Sequence, residues 1–152
     1  MALMSLLAVS CKQDGATSAG NPLLDPATAP YGIEDYSKIT VDNFREAIQL
    51  GMKQHSEAVQ AIIDNPEEPT FANTIEAFDK SAELLSKAMT IFGDISGSNS
   101  TEEIRQFETE INPQLSAHSD DISLNSALFA RIKTVYDKYY TLGGVEVAEV
   151  DQ

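Results

Sequence analysis

Pro69-Thr70-Phe71-Ala72-Asn73-Thr74-Ile75-Glu76, preceded by Asn65-Pro66-Glu67-Glu68, is the stretch on which the fold turns. It has the composition of a helix start. Thr70 or Asn73 can cap the free backbone amides, and Asn73 with Glu76 has the spacing of a capping box. Pro69 prevents an earlier helix from running through. Downstream, Phe71, Ile75, Phe78, Ala82, Leu85, Met89 and Phe92 recur at alternating intervals of four and three. Such an a/d seam predicts a long amphipathic helix from about Phe71 to Ile95, ended by Gly93, Gly97 and Asn99.

Working outward, a helix of similar length precedes this one. Phe44, Ile48, Met52, His55, Val59, Ile62 and Ile63 fall on one face between about Asp42 and Ile63. Thr40 or Asp42 can cap it, and Asn65-Pro66 ends it. Gly51 inside costs about 1 kcal/mol relative to Ala and allows a neighbouring helix to come close. Two amphipathic helices joined by a short loop read as an antiparallel hairpin within one bundle rather than as an intermolecular coiled coil.

Ser100 with Glu103 has capping-box spacing, and Ile104, Phe107, Ile111, Leu115, His118 and Ile122 continue a third helix. Pro113 inside that pattern predicts a kink or a split. A fourth helix starts near Asn125, with Leu128, Phe129, Ile132, Val135, Tyr136 and Tyr139 on its apolar face, and Leu142-Gly143-Gly144 stops it. Tyr136 and Tyr139 are expected to pack and Tyr140 to be exposed. Residues 143–152 read as a frayed tail, and nothing reads as a sheet-forming strand. Asn21 to Lys38 reads as an extended strap set by Pro22, Pro26 and Pro30 and pinned by Tyr31, Ile33 and Tyr36.

The expected fold class is therefore all-α: antiparallel helical hairpins forming a bundle, preceded by an extended Pro-containing segment. The expected core includes Phe44, Ile48, Ile75, Phe78, Leu85, Met89, Phe92, Phe107, Phe129 and Ile132.

A length of 152 residues suits one domain. A hydrophobic content of 42% is sufficient for a core. Ten basic against 24 acidic residues give a net charge of −14. This excludes nucleic acid as an expected partner, because phosphates need cationic neutralisation, and it disfavours electrostatic docking on anionic membranes. The acidity itself reads as a solubility device.

The single cysteine, Cys11, rules out an intrachain disulfide. Residues 1–11 combine a short apolar run, Met1 to Val9, with Ala8-Val9-Ser10-Cys11. This resembles the lipobox of bacterial lipoproteins and makes Cys11 the candidate lipid-attachment site. The run lacks the basic start of a signal peptide and is too short to span a bilayer. Residues 12–20 have a tether's composition. A lipid-anchored or periplasmic location in a bacterial envelope follows as the expectation, with the membrane reached only through the anchor. An incidental cysteine on a cytoplasmic chain is the alternative.

The chain is poor in chemistry-bearing patterns. His55-Ser56-Glu57 and His118-Ser119-Asp120-Asp121 are the groupings of His with carboxylates. Neither has the i, i+4 histidine pair that places two imidazoles on one zinc ion, so both histidines read as packed or rim residues. There is no Gly-x-Ser-x-Gly elbow and no phosphate-binding glycine loop. Glu67-Glu68 and Asp120-Asp121 read as solvated charges. No catalytic residue, metal ligand or cofactor is expected on this chain.

Asn65-Pro66-x-x-Pro69-x-Phe71-x-Asn73-Thr74-Ile75 resembles the amino-terminal helical region of peptidyl-dipeptidases in the thimet-oligopeptidase-like family of zinc peptidases. Asn21-Pro22-Leu23-Leu24, Ala29-Pro30-Tyr31, Ser81-Ala82-Glu83-Leu84-Leu85, Ala117-His118-Ser119 and Leu124-Asn125-x-x-Leu128-Phe129-Ala130-Arg131-Ile132 extend the likeness over residues 21–142. The resemblance implies an almost wholly helical, two-lobed enzyme whose amino-terminal helices wall a deep channel that admits short peptides. It also implies a zinc-activated water held by two His and a Glu, with a second Glu as base. None of those groups maps onto this chain, which lacks His-Glu-x-x-His. The implied partners are short peptides, through the full-length enzyme, and the missing catalytic region of the same protein. Zinc is then a cofactor of the full-length enzyme. After Leu142 the likeness fades, consistent with an inactive amino-terminal portion. If so, the face around Ile132, Tyr136 and Tyr139 is expected to lack a cover. The alternative is a stand-alone helical lipoprotein that binds a peptide or protein partner without catalysis.

Overall fold

The computed structural model describes residues 20–24 and 36–141. The expectations for Cys11, tether residues 12–19, Tyr31, Ile33, the side chain of Tyr140 and the tail beyond residue 141 lie outside what is described. Among the described residues all regular structure is helical: a 3₁₀ turn at Tyr36–Lys38, α1 at Val41–Asp64, a π-helical turn at Phe71–Glu76, α2 at Ala77–Lys80, α3 at Glu83–Ser98, α4 at Glu102–Ser123 and α5 at Ser126–Thr141. The protein is an all-α bundle of hairpins. Helix α1 lies at its centre and packs against α2, α3, α4 and α5.

Two hairpin arms begin with the same device. Thr40 caps α1 by accepting from the Asn43 amide at 3.3 Å, and the Thr40 amide donates to Asn43 Oδ1 at 3.0 Å. Thr70 and Asn73 repeat the arrangement at 3.1 and 2.8 Å. The box at the second helix is thus Thr70 with Asn73, not Asn73 with Glu76. Asparagine at the third position has the reach to return the hydrogen bond that glutamate usually makes. The start of α4 shifts by one residue from the expected Ser100: Thr101 accepts from the Ile104 amide at 3.3 Å. Asn125 opens α5 by accepting from the Ala127 and Leu128 amides, both at 3.0 Å.

The second helix is not the continuous rod its heptads predict. It opens with the π-helical turn and breaks again at Ala82, whose φ of −106° and ψ of 20° leave the helical region. A wider turn advances each residue by less than 100°, so residues before it rotate off the seam. Thr74 is fully buried as a result, Ile75 is half-buried, and Phe71 is 56% exposed. The helix also runs to Ser98, passing through Gly93 and Gly97, which the sequence marked as stops. Pro113 does not split α4, which continues through it. The proline removes only the backbone bond to the Thr109 carbonyl, while Ile111 and Leu115 on either side are held by the core.

Two hydrophobic clusters fill the bundle. The larger joins Leu23, Phe44, Ala47, Ile48, Ala88, Ile91, Phe92, Ile104, Phe107 and Ile111. Its aromatic spine runs Phe44–Phe92–Phe107, edge to face, with centroids 5.1 and 5.4 Å apart. The smaller is built on Val59, Ile62 and Leu128, with Phe78, Ile122 and Ile132 packed around it. Of the expected core, Phe44, Ile48, Phe92 and Phe107 are buried, while Ile75, Phe78, Leu85, Met89 and Ile132 are half-buried. Phe129 is corrected outright: at 63% exposure it is a surface residue, because α5 turns Leu128 and Val135 inward instead.

Gly51 sets the distance between α1 and α3. A Cβ there would lie 2.8 Å from both the backbone N and Cα of Leu85, atoms that cannot swing aside. Gly51→Ala is expected to destabilise by about 1–2 kcal/mol, since overpacking against backbone outweighs the gain of about 1 kcal/mol in helix propensity. Gly93→Ala, where nothing lies within 4 Å, should instead stabilise by up to about 1 kcal/mol. Chemical denaturation of both variants measures the contrast.

Candidate functional site

The described residues contain no group of three or more His, Cys, Asp or Glu side chains placed to hold a metal ion. They therefore do not fit the zinc centre that the resemblance implies for a full-length enzyme. Chemistry-bearing side chains do come together, in pairs that tie helix to helix.

Arg45 of α1 makes the first such tie. Its Nε and Nη2 donate to the two carboxylate oxygens of Glu110 on α4, both at 3.0 Å, and its guanidinium lies 5.2 Å from the Phe107 ring centre. A further bond goes to Asp42. The Arg45 hydrogen bond, opposed by some desolvation, holds the Glu110 carboxyl below its usual range. Fork-on-fork pairing fixes α4 in rotation as well as distance.

The second tie was invisible in the sequence. His55 Nδ1 and His118 Nε2 lie 2.9 Å apart although 63 positions separate them. Each histidine occupied an apolar face, and nothing local signalled that the two faces meet. Arg45 opposite Glu110 and His55 opposite His118 show that α1 and α4 run in the same direction.

The third tie fastens α5 to the loop between α1 and the π turn. Arg131 donates to the carbonyls of Asn65 at 2.8 Å and Glu67 at 3.3 Å. Lys138 donates to the Pro69 carbonyl at 3.2 Å and to Glu68 at 2.6 Å. The Lys138 hydrogen bond holds the Glu68 carboxyl below its usual range. At the other end of the bundle, buried Asn21 donates to the Asn43 carbonyl at 3.1 Å and to Glu46 at 2.9 Å, and Leu23 plugs the larger cluster. Asn21-Pro22-Leu23-Leu24 is thus an anchor on α1.

With these ties made, one side of α5 is left bare. Phe129 is 63% exposed, Tyr136 55% and Tyr139 48%. Phe129, Ile132 and Tyr136 line a groove of 340 Å³ edged by Lys133 and Asp137. The expectation that Tyr136 and Tyr139 pack inward is corrected: both stand on the outer face. Exposed aromatic side chains grouped along one helix mark an interaction surface more often than chance exposure does. No helix among the described residues is long and apolar enough to cross a membrane. This α5 face is the candidate functional site.

No protein-family model matches the chain. Two bacterial proteins are similar to it. Dipeptidyl carboxypeptidase of Salmonella typhimurium strain LT2 is 34% identical over 123 residues, which is 81% of this chain and 18% of that protein. Dipeptidyl carboxypeptidase of Escherichia coli strain K12 is 32% identical over the same extent. The chain is therefore related to a segment of dipeptidyl carboxypeptidase, and it spans under a fifth of the length of these relatives.

Phe129→Ser and Tyr136→Ser are expected to change folding stability by less than about 0.5 kcal/mol, as for ordinary surface positions. Phe92→Ala, in the aromatic spine, should cost about 3–5 kcal/mol. Thermal melts separate the two classes, and binding of a hydrophobic dye should fall for the α5 variants alone.

Proposed function

We propose that this chain is the amino-terminal, channel-forming portion of a zinc metallopeptidase of the thimet-oligopeptidase-like family, an enzyme that removes dipeptides from the C-terminus of short peptides. The observation that carries the reading is the 34% identity to dipeptidyl carboxypeptidase over 81% of the chain. An all-helical bundle with an uncovered aromatic face on its last described helix supports it. The chain supplies scaffold and channel wall. The catalytic region supplies zinc, its ligands and the general base, since the described residues carry no fitting ligand set. In this reading the bare face of α5 receives that catalytic region, and α1 holds α5 in position to do so. Short peptides are bound only by the assembled enzyme. A lipid anchor at Cys11 would place the assembly in the bacterial envelope.

Fragment complementation tests the proposal. The chain alone is expected to hydrolyse no blocked peptide. Mixed with a dipeptidyl carboxypeptidase lacking the corresponding segment, it should restore dipeptide release that a chelator abolishes, and Phe129→Asp should weaken that restoration at least tenfold. Chelator-sensitive hydrolysis by the chain alone would contradict the division of labour. Failure to bind or restore the truncated enzyme, with peptide bound by the chain itself, would favour a stand-alone binding protein.

A further inference from the structure

We propose that the His55–His118 contact is an acid-sensitive latch that fastens the C-terminal half of α4 to α1 and opens when the pair takes up protons. The two rings meet edge to face, with centroids 5.0 Å apart, and the Nδ1-to-Nε2 contact of 2.9 Å requires one N–H and one lone pair. The Phe78 ring, 6.0 Å away, covers His55 from the second helix. His55 Nε2 is buried and has no hydrogen-bond partner.

Counting protons on the four ring nitrogens gives the mechanism. The neutral pair carries two. One sits in the contact, donated by His55 Nδ1, and the other sits on His118 Nδ1, so the buried His55 Nε2 stays bare. A third proton must occupy His55 Nε2, because the contact holds only one and His118 Nδ1 is already filled. That places an N–H in a buried site without an acceptor, at a cost. A fourth proton puts N–H groups on both sides of the contact, where they repel. Every step of acidification therefore disfavours the closed arrangement.

The surroundings leave this balance to the two rings. On α1, Lys53 and Glu57 pair with each other at 3.8 Å and are largely exposed. On α4, Asp120 and Asp121 are exposed, as are Asp79 and Lys80 on α2. The cations of α5 are committed elsewhere: Arg131 and Lys138 to the loop and Lys133 to Asp137. Burial first, and then the His118 imidazole, hold the His55 pKa below its usual value. The sign follows. A histidine with a lowered pKa in the closed form binds fewer protons there than when open, so closure is complete above the ordinary value of about 6.5 and is lost as pH falls below it.

Opening is local because α4 is fastened twice. Its first half is held by Ile104, Phe107 and Ile111 in the larger cluster and by the Arg45–Glu110 fork. Pro113 then removes one bond from the backbone ladder. Beyond it His118 is joined in holding the helix by Leu115 and Ile122, which are half-buried at the edges of the two clusters rather than inside them. The proline marks where the released half can bend away.

Hydrogen exchange on the full chain tests the latch, with rates corrected for intrinsic pH dependence. Protection of residues 114–123 is expected to fall at least tenfold between pH 7.5 and 5, while residues 103–111 keep theirs. The double variant His55→Asn, His118→Gln replaces the contact with an amide pair that does not titrate, and its protection should be flat with pH. NMR titration of the wild-type His55 imidazole should show it taking up its proton over the same pH interval in which protection is lost. PH-independent protection of residues 114–123 in the wild type would overturn the proposal. So would protonation of His55 with no loss of protection, or the same acid response in a folded double variant.

Discussion

The approach of α1 to α3 at Gly51 is the constraint on which the rest of the bundle depends. With no side chain at this position, the backbone of Leu85 comes within reach of where a Cβ would stand. Helix axes this close require small residues on both sides, and Ala47 and Ala88, both fully buried, provide them. The near approach then sets the spacing at which Phe44 and Phe92 meet edge to face, and Phe92 passes the geometry on to Phe107 of α4. A larger gap would leave those rings without partners at the distance where dispersion attraction is strong.

Helix α1 is the hub through which every other helix is oriented, and each is held to it or to its end loop by a different chemistry. Shape complementarity holds α3. A guanidinium fork and an imidazole pair hold α4. Arg131 and Lys138 hold α5 through carbonyls of the loop that follows α1. Ten basic residues are few in a chain of net charge −14, and two of them are spent on that one loop. Hydrogen bonds from cations to backbone carbonyls are among the stronger polar contacts and fix orientation as well as distance.

Much of this architecture was legible in the sequence, and the errors have physical causes. The boundaries of α1 followed from Thr40, the apolar spacing and Asn65-Pro66, because caps and proline act locally. The seam of the second helix identified Phe92 correctly but not Phe71 or Ile75, because a heptad count assumes one uniform turn and the π-helical opening breaks it. Phe129 was misplaced for a related reason. On α5, apolar residues surround more than one face, and composition alone does not say which face meets α1. Pro113 was given more weight than it has, since the buried residues on either side hold the helix together. The His55–His118 pair was beyond reach: it depends on two helices lying side by side in the same direction, a fact of tertiary packing. The α5 face was legible only through the resemblance to a longer enzyme, which suggested that something should cover it.

The contacts of Arg131 and Lys138 have an architectural consequence. Hydrophobic burial is nondirectional and would tolerate several rotations of α5 about its axis. The carbonyl contacts select one rotation, and with it the direction in which Phe129, Tyr136 and Tyr139 point. An exposed aromatic surface of an acidic protein is thus aimed by two of its cations. A change that neutralised them would leave the composition of that surface intact and alter its bearing.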